Sequence, residues 1–359
     1  MKKILEFPLI PLFKEFTRSS EKGKRRTSSG KKISAGTIEL YKFVQKLLVE
    51  YEQLFQTTIR FRPHYKNSVV HFKTEKKYWD KFFRNFFDYL YRDKKYYDQF
   101  AGTVFKTIRT FLNYVIVQKG LPIGQFYKNF RIPNDTPRPV VLSPTQLKVL
   151  ITDEPFRSQL PRHLQRTLDI FIFGCTAGLR WSDLMRLKKK NLLNTPDGVL
   201  LEIHTQKTGT AVRIPIPDYL SSIITKYKTK NGIYLLPRLA SSNMNLQVKE
   251  IIKLRGWSYP MPKYRHRQGK VVEIKNKEGN TFSFCDHITA HTMRRTAITT
   301  LLILGVPELM VRKISGHAQG STEFYRYVSV AQEYLNQEVK NAYKKLVEPT
   351  SFIPIKATA

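Results

Sequence analysis

The chain has 359 residues, 41% of them hydrophobic, which is enough for a sizeable core and for more than one domain. Lysine and arginine number 62 against 28 aspartates and glutamates, a formal net charge of +34 that repels itself unless a polyanion is near. Nucleic acid is therefore the expected partner, and without a lipidation signal, a free basic amphipathic helix or an apolar run of 18 residues, no membrane association is expected. The opening MKKILEFPLIPLF is interrupted by Glu6, followed by Lys14, and lacks a small-residue cleavage site, so it does not read as an export signal. With only Cys175 and Cys285 present, the expected compartment is a reducing cytoplasm.

Residues 1–36 contain SSEKGKRRTSSGKKISAG, whose composition predicts a flexible basic arm. From Thr37, read as an N-cap, the apolar residues Ile38, Tyr41, Val44, Leu48, Tyr51 and Phe55 recur at three or four positions and predict a helix. A second helix is predicted from Tyr78 to Arg92 and a third from Asp98 to Gln118, so that residues 37–135 form a helical domain. Their aromatic stripes (Trp79, Phe82, Phe86, Phe105, Phe111) read as core, and the lysines and arginines between them as the groups left to meet phosphates.

The proline-rich stretch around residues 136–142 predicts a linker, and Ser143-Pro144-Thr145-Gln146 opens a new helix with proline in its first turn. A long helix follows from Leu164 to Phe173, and GVLLEIHTQKTGTAVRIPI predicts a β-hairpin with Lys207 at its turn. The remainder reads as largely helical. The expected fold is mainly α with a small β-sheet, a second domain spanning 143–346 and a tail over 347–359.

Breaking a phosphodiester without a metal needs a nucleophile, cations for the charge that builds on the nonbridging oxygens, and an acid for the leaving oxygen. Arg180 follows Gly178 in a tight turn that precedes Ser182 and Asp183, and its planar guanidinium suits bidentate phosphate contact. His291 and Arg294 stand three residues apart, neighbours on one helix face. His317 sits on a Gly-His turn, with the cluster Phe324-Tyr325-Arg326-Tyr327-Val328 about ten residues on. Taken singly, each of these is an ordinary surface or packing residue. Cys285, His287 and His291 lack a fourth ligand, so no metal and no cofactor are expected.

The joint order, A-G-L-R, a hairpin lysine, H-x-x-R, G-H and a tyrosine, resembles the tyrosine recombinase (phage integrase) family across about residues 140–340. Residues 37–135 are more loosely similar to that family's core-type DNA-binding domain. The resemblance implies site-specific cleavage and rejoining of DNA through a covalent 3′-phosphotyrosine, with Arg180 and Arg294 clamping the phosphate and Lys207 as general acid. His291 would orient the nucleophile or accept its proton, and His317 would bond a nonbridging oxygen. Asp183 would buttress the fold. One departure stands out: relatives place the tyrosine nine residues after the Gly-His histidine, where this chain has Arg326. The candidates are Tyr325 and Tyr327, and the Phe324-x-x-Tyr327-Val328 ending, similar to mobile-element integrases, favours Tyr327. Further implications are double-stranded DNA as partner, a homotetramer on DNA, accessory DNA-bending proteins as candidate helpers, and a nucleoid-associated place in a prokaryotic cytoplasm. The alternatives are a type IB topoisomerase-like enzyme and a catalytically inactive DNA-binding regulator.

Overall fold

The computed structural model describes residues 6–62, 69–121, 123–124, 126–130, 133, 137–206, 211–230 and 232–347. They divide into two compact units, one of residues 1–137 with 263–274, the other of residues 138–262 with 275–359.

The first unit begins with strand β1 (Phe7–Pro8), which pairs antiparallel with β2 (Arg60–Phe61), Phe7 opposite Phe61. Between and after them run helices α1 (Leu9–Glu21), α2 (Ala35–Leu54), α3 (Val69–Asp88), which continues into a π-helical turn at Tyr89–Asp93, and α4 (Asp98–Val117). The aromatic stripes form the core: Phe86 and Phe111 are fully buried, and Phe16 packs edge-on to Phe111 with centroids 5.5 Å apart.

Three expectations need correction here. Residues 9–21 are not a flexible arm but helix α1, with Leu9, Phe13 and Phe16 fully buried. The apolar residues Leu9, Ile10, Phe13 and Phe16 make a helical stripe, masked in the sequence by the basic stretch that follows. Arg25, from that stretch, lays its guanidinium 4.0 Å over the Phe16 ring and donates to Ser20 Oγ at 2.8 Å. The N-cap of α2 is Ser34, whose side chain accepts from the Thr37 amide, rather than Thr37 itself.

The third correction is a hairpin, β6 (Lys263–Arg267) with β7 (Lys270–Ile274), in a stretch read as helical, and it belongs to the first unit. Gln268 and Gly269 both have positive φ, 52° and 75°, the conformation of a two-residue hairpin turn. The turn amides of Gln268 and Gly269 donate to the buried Asp98 carboxylate at 2.7 and 3.0 Å, and Tyr91 Oη donates to it at 2.7 Å.

The second unit opens with α5 (Pro144–Thr152), started by a capping box between Ser143 and Gln146, then α6 (Glu154–Gln159), α7 (Arg162–Ala177) and the short α8 (Trp181–Leu184). Every residue of α7 from Thr167 to Cys175 is buried, which makes it the central helix. Its one carboxylate, Asp169, is satisfied by Arg157 at 2.8 Å, Lys226 at 2.7 Å and Tyr227 at 2.7 Å. A three-stranded antiparallel sheet, β3 (Leu192–Thr195), β4 (Gly198–His204) and β5 (Ala211–Pro215), places Leu201 opposite Ile214. The hairpin turn at Lys207-Thr208-Gly209 lies outside the described residues. Then come α9 (Asp218–Tyr227), α10 (Ser241–Leu254), the hairpin strands β6 and β7 already placed in the first unit, α11 (Phe284–His287), α12 (Ala290–Ile303), α13 (Glu308–Ser315) and α14 (Thr322–Val347). Helix α12 packs against α7 on one side and α14 on the other, and so becomes the platform of the site. Among the described residues no helix is long and apolar enough to cross a membrane.

Candidate active site

Helix α7 ends at Gly178, whose φ of +65° is left-handed, a turn that glycine adopts without the strain a side chain would bring. The turn delivers Arg180 to the N-cap position of α8. Its Nη1 is buried and has no hydrogen-bond partner among the described residues, so a guanidinium donor is left waiting for an acceptor. Arg294, on α12, is 2% exposed. Its Nη1 donates to the Gly178 carbonyl at 3.0 Å, which ties the α12 arginine to the turn that carries the other one.

A second left-handed glycine, Gly316 with φ +62°, closes α13 and turns His317 back toward α12. Arg294 Nη2 lies 3.2 Å from both ring nitrogens of His317, and Ser315 Oγ is 2.8 Å from Nδ1. Burial, then the charges of Arg294 and Arg180, pull His317 down to about 3, so the ring is neutral at physiological pH. His291 sits on the exposed rim of the same face; desolvation by its surroundings, then Arg295 and Arg294, lower it to about 4. Arg294 itself is lowered to about 10, by burial first and by Arg180 second. Buried arginines set beside one another, with neutral imidazoles between them, favour an anion at this place.

Tyr327 is 1% exposed, and its ring centroid lies 5.9 Å from that of His317. Its hydroxyl donates to Glu323 Oε1 at 3.2 Å, and burial, then the Glu323 charge, raise its pKa. Tyr325, the other candidate, is 53% exposed, with the Arg312 guanidinium 4.8 Å from its ring. Arg294, His317 and Tyr327 thus meet, with Arg180 close enough to perturb Arg294, His317 and His291. Lys207 lies outside the described residues. Asp183, 2% exposed, accepts from the Gln206 amide at 2.9 Å and so anchors the end of the strand that leads to Lys207. Among the described residues no three His, Cys, Asp or Glu side chains gather as a metal site, and His287 spends its Nε2 on the Met261 carbonyl at 2.8 Å.

Two residues of the site escaped the sequence. Ser315 is a small polar residue before a glycine, with nothing to mark it. Glu323 was legible only as a position four before Tyr327 on one helix face, once the helix and the tyrosine were known.

A family model for the phage integrase family matches residues 163–333, which include Arg180, His291, Arg294, His317 and Tyr327. Over those residues the chain is similar to the phage integrase family. Transposase B from transposon Tn554 of Staphylococcus aureus (strain Mu50 / ATCC 700699) is 27% identical over 208 residues, which are 54% of this chain and 30% of the transposase. The same protein from strain N315 matches to the same degree. This chain therefore spans under a third of these relatives' length. Among solved structures, the lambda integrase dimer bound to a COC′ core site aligns with a TM-score of 0.57 at 13% identity, covering 90% of this chain and 77% of that one. XerH recombinase in its post-cleavage complex on palindromic difH gives 0.57 at 14%, covering 92% and 87%. The Tn1549 transposon integrase in complex with circular intermediate DNA gives 0.55 at 15%, covering 89% and 94%. At these identities the structures establish that this chain shares their mainly helical fold.

Proposed function

We propose that this chain is a site-specific tyrosine recombinase of a mobile element, which cuts and rejoins double-stranded DNA through a covalent 3′-phosphotyrosine. The observation that carries the reading is the convergence of the buried Arg294 guanidinium, the neutral His317 ring and the buried Tyr327 phenol in one unit, with an Arg180 donor that has no partner among the described residues. Arg180 and Arg294 neutralise the nonbridging oxygens as charge builds on them, and His317 donates to one of those oxygens. Tyr327 attacks phosphorus and the 5′ oxygen departs, protonated by Lys207 according to the family resemblance. The bond energy kept in the phosphotyrosine ester lets a second strand's 5′ hydroxyl reverse the step without a nucleotide cofactor. Residues 143–346 carry this chemistry, and the helical stretch 37–135 holds the duplex. A homotetramer on DNA, helped by DNA-bending proteins in a prokaryotic nucleoid, completes the reading.

Burial supports Tyr327 over Tyr325 as nucleophile, because Tyr327 lies against His317 while Tyr325 points to solvent. The test is covalent trapping on nicked duplexes recovered from a randomised pool by the wild-type protein. Wild type and Tyr325→Phe should yield a protein–DNA adduct resistant to denaturation, and Tyr327→Phe none. Loss of the adduct in Tyr325→Phe alone would reverse the choice. Supercoil relaxation without strand exchange would indicate the topoisomerase-like alternative, and no adduct from any form would leave a DNA-binding regulator.

A further inference from the structure

Three residues of α14 stand on one face at positions i, i+3 and i+4: Glu323, Arg326 and Tyr327. Arg326 Nη1 donates to Glu323 Oε2 at 2.8 Å, which leaves Oε1 free to receive the Tyr327 hydroxyl at 3.2 Å. The carboxylate is thus gripped on one oxygen and presented to the phenol with the other. Neither histidine occupies that place. His317 is engaged by Arg294 and Ser315 through its ring nitrogens, and His291 lies on the exposed rim.

We propose that Glu323 is a further catalytic residue, whose carboxylate, held by Arg326, orients the Tyr327 phenol and takes its proton as the phenolic oxygen attacks phosphorus. This rests on the reading of Tyr327 as the recombinase nucleophile. In the forward step the O–H bond of Tyr327 breaks and its proton passes to Glu323 Oε1. The oxygen's electron pair forms the new O–P bond, the P–O5′ bond breaks, and the departing oxygen is protonated by the general acid. Religation runs the same transfers backward, the carboxylic acid of Glu323 returning its proton to the leaving tyrosine oxygen.

The charges around the pair support the role. Arg294, Arg295 and His291 face it from α12, His317 from the turn after α13, and Arg326 from α14 itself. Burial alone pushes Glu323 up, yet the Arg326 bond and the neighbouring Arg295 hold it below the usual carboxylate range, so it is ionised and able to accept. The phenol moves the other way, raised by burial first and by Glu323 second. At neutral pH the nucleophile is therefore protonated, and attack without an acceptor must wait for the rare phenolate.

The assay is single-turnover adduct formation on the same nicked duplexes, from pH 6 to 9. Wild type should be flat with pH across the window in which Glu323 is ionised. Glu323→Gln, which keeps the shape and loses the basicity, should bind the duplex as wild type does and cleave about 10²-fold more slowly or worse. Its rate should rise about tenfold per pH unit, because phenolate must then form before attack. Glu323→Asp, one methylene shorter, should give an intermediate loss with a flat profile, and serves if the glutamine variant does not fold. A glutamine variant that cleaves at the wild-type rate, that cleaves faster because the carboxylate was a brake, or that is slow but flat with pH would each overturn the assignment. Absence of any wild-type adduct would instead overturn the recombinase reading on which it rests.

Discussion

Replacing Arg294 by methionine separates what the buried guanidinium does for folding from what it does for chemistry. Its pKa is lowered from the ordinary arginine value to about 10, which corresponds to about 3 kcal/mol held against the charged form. Against this stand its hydrogen bonds to the Gly178 carbonyl and to His317, each contributing about 1.5–3 kcal/mol with a charged donor. The two effects are of similar size and opposite sign, and methionine fills much of the volume of the arginine stem. The expected change in stability is within about 2 kcal/mol, or about 4–8 °C in unfolding temperature for a unit of this length. Cleavage should fare differently, falling at least about 10²–10³-fold, as when a preorganised donor to a developing oxyanion is removed. Differential scanning fluorimetry and adduct trapping on one preparation measure both. A drop in unfolding temperature beyond about 15 °C, with loss of adduct no larger than the loss of folded protein, would show Arg294 to be a structural residue and refute the reasoning.

The lowered values of His317, about 3, and His291, about 4, also predict how stability follows pH. Both lie below the ordinary histidine value, so the unfolded chain binds more protons between about pH 6.5 and these values, and stability is present above 6.5 and lost as pH falls. Thermal melts from pH 7.5 to 4.5 should show a decline that is shallower in His317→Gln; an unchanged slope in that variant would contradict the assignment. Phe16→Ala should cost about 3–5 kcal/mol in urea unfolding of the first unit, since the ring is fully buried in α1, whereas a flexible arm would tolerate it. Asp98→Ala should abolish slow hydrogen exchange at the Gln268 and Gly269 amides, which donate to that carboxylate; retained protection would show that the β6–β7 turn holds without it. DNA affinity should fall steeply with salt because phosphate contacts release counterions, and a flat curve between low and physiological salt would contradict the electrostatic reading of the +34 charge.

Much of the molecule was legible from residue order alone. The helical spacing of Val44, Leu48 and Tyr51, the Ser143–Gln146 capping box and the alternation of β4 and β5 are local patterns, and local sterics and hydrogen bonding are enough to produce them. Where a local signal was weak or outvoted by its surroundings, it misled: the stripe of α1 beside a Ser- and Lys-rich stretch, and a Gln-Gly turn in β6–β7 where Asn-Gly would have announced itself. The types of the site residues, and their separation by 114 and 33 positions from Arg180 to Arg294 to Tyr327, could likewise be read directly. Their meeting could not, because it depends on α12 lying between α7 and α14, an outcome of burying three apolar faces at once. Tertiary packing alone put Tyr327 inside and Tyr325 outside, for two aromatics two positions apart on a helix face nearly opposite ways, and only the core decides which way is in.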